Sequence, residues 1–483
     1  MSESSRLREL HQLTSPYKSL HDTYVSNKQE KCPVPALVAT GCLIVMGVLL
    51  AIVVIEKLRH GRELNERLTP DITSMICNET WPSEQSSIVL VESFPEAVHY
   101  GINISTSQNL FHVWKDLLSS AKKRIDVASF YWSLTDEDIA VHSSSDRPVN
   151  VSVRVVTSIP TLASNSSDLD ILEKHGVEVR RVNFGHLTRG ILHSKFWIID
   201  DKHIYIGSAN MDWRALTQVR ELGAVIFNSS ALASDLLKVF QSYWVMSKSG
   251  AAFPEPWPRE FETNINEQQP LNIQLDGEQS QVYLTASPPV FCPASRTRDL
   301  DAILSAISGA QEFIHISVME FYPAFKFFGL RGFWPELEDA LKQSAFNRNV
   351  SVCLLVSCGR ESDPSVWPFL RSLDALHSPS NKLNIDLKLF IIPVGNQSHV
   401  PYTRVNHSKF MVTDKVAYVG TSNWSADYFN TTAGVGLVVS HDALRPNSFH
   451  QRLRDVFLRD WDSKFAVSLS ELKPEHDCAF AKL

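Results

Sequence analysis

The stretches LHSKFWIID (Leu192–Asp200) and NHSKFMVTD (Asn406–Asp414) each spell H-x-K-x4-D. One match to so short a pattern carries little weight. Two copies, each following the same series of apolar runs, set the architecture of the chain. Each copy is apolar and rich in β-branched and aromatic residues, which predicts a buried strand. Alternation along a strand puts His193 and Lys195 on one face, and His407 and Lys409 likewise. An imidazole beside a fixed cation suits an anionic, phosphate-like substrate. Asp200 and Asp414 have the opposite parity from their histidines. They read as turn or salt-bridge residues that brace the strand end, with no direct part in bond making.

A run of small residues follows each copy: Gly207-Ser208-Ala209-Asn210 and Gly420-Thr421-Ser422-Asn423. Small residues let backbone and phosphate approach closely, and an Asn amide can donate to a phosphoryl oxygen. The gap from Asp to Gly is one residue shorter in the second copy, so the halves are not identical. Glu221 follows Asn210 in RELG, whereas the corresponding place in the second half falls near Thr432. A carboxylate that orients one histidine only would make the pair inequivalent.

The surrounding chain repeats in the same order. IVLVES matches QVYLTAS, RIDVASFYW matches the end of AQEFIHISVMEFY, VSVRVVTS matches VSVCLLVS, and GVEVRRVNF matches NIDLKLFII. After each motif come a short strand (IYIG, read as edge-like, and AYVG), another strand (ELGAVIF and GVGLVVS) and a closing helix. The helices are expected at Leu110–Lys122, Asp168–His175, Leu232–Met246 and Leu444–Phe457. Alternating strands and helices imply sheets covered by helices on both faces. The period is far too long for a solenoid and fits a two-fold duplication that brings the two motifs face to face. The expected divisions are a tail (1–32), an apolar helix (33–55), a stalk (56–87), a first half (88–250), a Pro-, Glu- and Gln-rich linker (251–278) and a second half (279–483).

H-x-K-x4-D followed by G-S-x-N, present twice, resembles the phospholipase D superfamily, from about Ile88 to Phe465. The resemblance implies an α/β fold of two tandem α/β/α halves related by a pseudo-two-fold axis, behind one N-terminal transmembrane helix. It also implies a phosphohistidine mechanism, with one histidine attacking phosphorus and the other protonating the leaving oxygen. Symmetry does not say which is which. By analogy His193 is the nucleophile and His407 the acid. Lys195, Lys409, Asn210 and Asn423 would surround the non-bridging oxygens. No cofactor and no metal are expected, since two lysines replace a metal's charge and no zinc spacing is present. His186, His203, His315 and His399 lack such a context and read as ordinary histidines.

With 483 residues, 44% of them hydrophobic, the chain can bury a sizeable core or two. A net charge of -7 argues against a broad basic surface for duplex DNA, without excluding a local cationic cleft. Residues 1–31 are polar. Tyr17-Lys18-Ser19-Leu20 among them fits Y-x-x-Φ, a sorting pattern read by cytosolic adaptors. Pro33–Ile55 carries no charge and would span about 35 Å as a helix, enough for a hydrocarbon core of about 30 Å. Lys57, Arg59 and Arg62 beyond it outweigh Lys28 and Lys31 before it, which leans against a cytoplasmic N-terminus. The glycosylation sequons lean the other way: those at Asn78, Asn103, Asn150, Asn165, Asn228, Asn349, Asn396 and Asn430 all follow the apolar run. A single-pass type II anchor with the bulk of the chain lumenal is therefore expected. Sequons at Asn406 and Asn423 overlap the motifs and are expected to stay unmodified.

That arrangement, with VLVESFPE, SFYWSL, GSANMDWR, FWPELEDAL, GTSNWS and FLRDWDS, is similar to the endolysosomal members of the superfamily. The resemblance implies a 5′-to-3′ exonuclease on single-stranded DNA and RNA. A phospholipid phosphodiesterase or transferase making bis(monoacylglycero)phosphate is the alternative, and a non-catalytic glycoprotein a third reading. A homodimer completes the expected partners. Phe130-Tyr131-Trp132, Phe321-Tyr322, Trp213 and Trp424 either pack the core or stack on a nucleobase. The resemblance also implies a Cys358–Cys478 bridge. It leaves Cys77 without its usual partner, because Asn228-Ser229-Ser230-Ala231 stands where relatives have N-C-S-C.

Overall fold

Phe196 and Ile198 point to one side of their strand and Trp197 and Ile199 to the other, and all four are buried. A strand apolar on both faces must be covered twice, and this one lies in the middle of a sheet. The computed structural model describes residues 85–483 apart from 97, 101–106, 135–150, 160–165, 328–331, 379, 381–382 and 442–444. The polar tail, the apolar run 33–55, Cys77 and the sequons at Asn78, Asn103, Asn150 and Asn165 lie outside the described residues. No helix among the described residues is long and apolar enough to cross a membrane.

The first sheet is built from β1 (Ser87–Ser93), β2 (Gln108–Asn109), β3 (Arg124–Ser129), β4 (Ser152–Ser158), β5 (Glu178–Val182), β6 (Phe196–Ile199), β7 (His203–Gly207) and β8 (Glu221–Phe227). Its order is β2-β1-β8-β7-β6-β3-β4-β5. The second sheet contains β9 (Leu271–Leu275), β10 (Glu278–Ser287), β11 (Phe313–Val318), β12 (Ser351–Ser357), β13 (Ile385–Phe390), β14 (Lys409–Thr413), β15 (Val416–Gly420), β16 (Gly434–Ser440) and β17 (Ala466–Ser468). Its order is β9-β10-β16-β15-β14-β11-β12-β13-β17. Seven strands correspond in order and direction, and the sheets differ only at their edges.

Three apolar layers hold the sheets. Outside the first lie α1 (Leu110–Ser120) and α2 (Ser167–Lys174), packed on Trp197, Tyr205 and Val225. Outside the second lie α4 (Asp299–Gly309), α5 (Glu336–Arg348) and α6 (Trp367–Asp374), packed on Leu354, Met411 and Tyr418. Between the sheets, α3 (Ser230–Met246) and α7 (Phe449–Trp461) share one core with Phe196, Ile206, Leu284, Phe410 and Leu437. The halves therefore close one common interior. At full burial each large apolar side chain contributes about 1.5–3 kcal/mol, so this middle layer binds the halves firmly.

Three expectations change. The IYIG strand, β7, is not at an edge: it sits between β6 and β8, with Ile204, Tyr205 and Ile206 buried on both faces. Leu271–Leu275, read as linker, is strand β9, which forms a hairpin with β10 through Asp276-Gly277. Both turn residues have positive φ, 52° and 82°, as a two-residue hairpin turn requires. The last helix starts at Phe449, where Ser448 caps it by accepting from the Gln451 N–H. Cys358 and Cys478 are disulfide-bonded, and Cys292 and Cys353 are free.

Candidate active site

Each motif histidine lies just before its strand rather than in it: β6 begins at Phe196 and β14 at Lys409. There the chain crosses to the other half. Leu192 bridges Ala433, and Asn406 bridges Arg220. The His193 N–H donates to the Ala433 carbonyl at 3.0 Å, and the His407 N–H to the Arg220 carbonyl at 2.8 Å. In return, the Ala433 N–H donates to Ile191 at 2.9 Å and the Arg220 N–H to Val405 at 3.0 Å. Each half thus supplies the rail on which the other half's histidine rides.

The side chains gather into one buried group. His193 is 3% exposed, Lys195 2% and Lys409 0%. Each lysine Nζ donates back to the carbonyl of its own histidine. Burial, and after it the charges of Lys195, Lys409 and His407, hold the His193 pKa well below its ordinary value. Burial pulls Lys195 well down, and the charge of Lys409 adds to this. Burial brings Lys409 down to about 7, against the pull of Glu221. The charges of Lys409 and His407, from the second half, reach His193 in the first, so the two motif pairs lie close together.

The two imidazoles have different partners. His407 Nδ1 donates to the Glu221 carboxylate, at 3.0 Å to Oε1 and 2.9 Å to Oε2. His193 Nδ1 donates to the backbone carbonyl of Thr421 at 3.0 Å. Oxygen acceptors on Nδ1 leave the lone pair of each neutral ring on Nε2. Burial lowers the His407 pKa too, but the Glu221 carboxylate opposes the fall. Glu221 itself stays ionised: burial works against it, and the His407 charge and hydrogen bond prevail. Ser208 Oγ also donates to this carboxylate.

The counterpart of Glu221 near Thr432 is Gly434, because both open the strand paired with β1 or β10. A Cβ on Gly434 would lie 2.0 Å from Ser422 Oγ and 2.8 Å from Ser287 Oγ. The second half has no carboxylate at this position, and a carbonyl holds His193 instead.

Asp200 accepts from the backbone N–H groups of Lys122, Lys123 and Arg124, and Asp414 from those of Gln311 and Glu312. They fasten the far end of each motif strand. The small-residue run starts beside the motif, where the Gly207 N–H donates to the Lys195 carbonyl at 3.2 Å. Asn210 and Asn423 are each 7% exposed, and the side-chain oxygens of both lack a hydrogen-bond partner. The sequon at Asn406 is wholly buried, with its amide donating to Ser317 Oγ.

The aromatic residues divide. Phe130 lies 5.5 Å from the His193 ring and 5.5 Å from Lys195 Nζ. Trp132, Phe321 and Trp424 are core, while Tyr131 donates to Asp212 at 2.7 Å. Tyr428, which sequence reasoning missed, stands edge-on to His193 at 4.9 Å. Its counterpart in the first half is Ala215, so no repeat marks it. His315 packs flat on Phe457 at 4.5 Å, and burial pushes its pKa down to about 3. Among the described residues, no three His, Cys, Asp or Glu side chains cluster as metal ligands would.

Two imidazoles, two buried lysines and one carboxylate hydrogen-bonded to a histidine thus gather where the halves cross. The family described as PLD3/4, PLD-like domain matches residues 102–395. The chain is 49% identical to the 5′-3′ exonuclease PLD4 of Mus musculus over 81% of its length and 82% of that protein. It is 44% identical to the 5′-3′ exonuclease PLD3 of Xenopus laevis, covering 82% of this chain and 84% of that protein. A phosphatidylserine synthase structure from Haemophilus influenzae Rd KW20 aligns with TM-score 0.49 at 13% identity, over 74% of this chain and 84% of that one. The chain belongs to the PLD3/4, PLD-like domain family, a branch of the phospholipase D superfamily.

Asp299, below the Thr421–Asn423 loop, generates a prediction. It is fully buried and accepts from Thr285 Oγ1 at 2.5 Å and Tyr418 Oη at 2.9 Å. Burial raises its pKa from 3.8 to about 6. A raised folded-state pKa favours the folded state at low pH. That contribution, about 3 kcal/mol, is full below the unfolded pKa and is lost as pH rises through about 6. Asp299→Asn should keep the hydrogen bonds and flatten the pH dependence. Denaturant melts of both proteins between about pH 4 and pH 6 measure this; an equal slope in the two would refute it.

Proposed function

We propose that this protein is a phosphodiesterase that removes nucleotides from the 5′ end of single-stranded DNA and RNA through a phosphohistidine. The observation that carries this reading is the unequal pair of Nδ1 partners. His193, neutral and dry, offers its Nε2 lone pair to phosphorus. A P–N bond forms as the P–O bond to the leaving group breaks. His407, whose basicity Glu221 sustains, gives that oxygen its proton. It then takes a proton from water, whose oxygen displaces His193 and restores both rings. Lys195 and Lys409, with Asn210 and Asn423, meet the charge gathering on the non-bridging oxygens. The pairing of the half-sheets is read as a duplicated unit about a pseudo-two-fold axis. The relatives named as 5′-3′ exonucleases support the choice of polarity and substrate.

The reading extends to location: a single-pass protein anchored by residues 33–55, with its catalytic body in the endolysosomal lumen. The Cys358–Cys478 bridge suits an oxidising compartment. Asn349, Asn396 and Asn430 are exposed and open to glycans.

Three experiments test these statements. Full-length protein should shorten 5′-hydroxyl single-stranded DNA at acidic pH, and His193→Ala should abolish this. Phosphatidylglycerol turned over faster than DNA by the same preparation would transfer the site to the lipid reading. Glu221→Gln removes the group that sustains the His407 pKa, so the alkaline limb of kcat should move to lower pH with a rate loss of about tenfold to a thousandfold. An unmoved limb refutes the division of roles. Glycosidase treatment of the protein from intact cells should shift its mass, with Asn406 and Asn423 unmodified by peptide mapping; an unglycosylated body would contradict the lumenal placement.

A further inference from the structure

Arg220 immediately precedes Glu221 and is completely buried. Its backbone makes the crossing to Val405 and His407 described above. Its guanidinium does more: NH1 donates to the Glu221 carbonyl at 2.7 Å, and NH2 reaches Asp460 at 2.8 Å and Glu92. Arg459 joins the same two carboxylates, at 2.8 Å each. The ring of Phe94 lies 5.1 Å from each guanidinium. Two positive and two negative groups therefore form a closed set beneath the strand that carries Glu221. Burial works against ionised Glu92, yet the two arginines hold its pKa down to about 2.

Burying four charges is expensive, and apolar side chains of similar volume often serve stability as well or better. The crossing itself does not need them, because Ala433 makes the same backbone exchange in the second half with no side chain to speak of. Among the described residues, such a quartet stands only under the half that carries the orienting carboxylate.

We propose that Arg220 is a positioning residue for the phosphodiesterase reaction. With Glu92, Asp460 and Arg459 it fixes the start of β8 so that the Glu221 carboxylate stays on Nδ1 of His407. This rests on the reading of His407 as proton carrier given above. The groups facing His407 are Glu221, Lys195, Lys409 and His193, and Arg220 acts on it only through the placement of Glu221.

Arg220→Ala alone leaves Glu92 and Asp460 short of a cation and threatens folding. Arg220→Met with Asp460→Asn keeps the remaining Glu92–Arg459 pair neutral and is the variant to use. In the full-length protein it should lower kcat about tenfold or more with KM little changed. It should also lower the His407 pKa, read without substrate from the pH dependence of carbethoxylation by diethyl pyrocarbonate, mapped by peptide mass. Adding it to Glu221→Gln should move that pKa little further. A His407 pKa left at the wild-type value in the double variant overturns the proposal, however far the melting point falls. Failure to cleave single-stranded DNA bears on the exonuclease reading and leaves this measurement standing.

Discussion

The structure depends on one reciprocal exchange of backbone hydrogen bonds. The residue before each histidine pairs with the other half just ahead of β8 or β16. Because each crossing is buried, its amides have no water to fall back on, and losing a partner would cost far more than the bond's net value. The exchange also sets the distance between the two imidazoles from both sides at once. Neither half can shift along its rail without breaking the other's bonds. The shared layer of α3 and α7 reinforces this, since the apolar face of each sheet is covered by what lies between them.

A site held this way can tolerate electrostatics that a looser one could not. Two lysines and two histidines are confined around the Glu221 carboxylate, and burial depresses the pKa of every cationic group. The cations are therefore under-satisfied by the protein. In the proposed reaction a phosphodiester anion would supply the missing counter-charge. Lysine suits this better than a bidentate arginine would, because a point charge on a flexible stem can follow the oxygens as phosphorus changes geometry.

Much of this was legible in the sequence. The repeated H-x-K-x4-D named the four cationic groups, and the parity of Asp200 and Asp414 separated bracing from chemistry. The order of apolar runs gave seven strands of each sheet. Other features left no such trace. The IYIG strand is short, and only its neighbours in space reveal that it is interior. The Asp276-Gly277 hairpin did have a signal, masked by the polar residues around it. The counterpart of Glu221, Gly434, carries no side chain, so nothing in its chemistry marks it as the equivalent position. Tyr428 and the Arg220 quartet come from segments hundreds of residues apart, and no local pattern could join them.

Four differences between the halves converge on the two rings. Glu221 corresponds to Gly434, Arg220 to Ala433, Tyr428 to Ala215 and Phe130 to Met319 at equivalent places in the two halves. On one side the changes bring aromatic walls to His193 and take charge away, which keeps its lone pair free. On the other they add a carboxylate and an ionic footing to His407, which keeps it able to hold a proton. A duplicated fold begins with two equal histidines, and equal histidines serve a two-step transfer poorly, since one must be bare while the other is protonated. Gly434 shows that the inequality is written into the packing: its missing side chain leaves room for the hydroxyls of Ser422 and Ser287, and a carboxylate could return there only if both serines turned away.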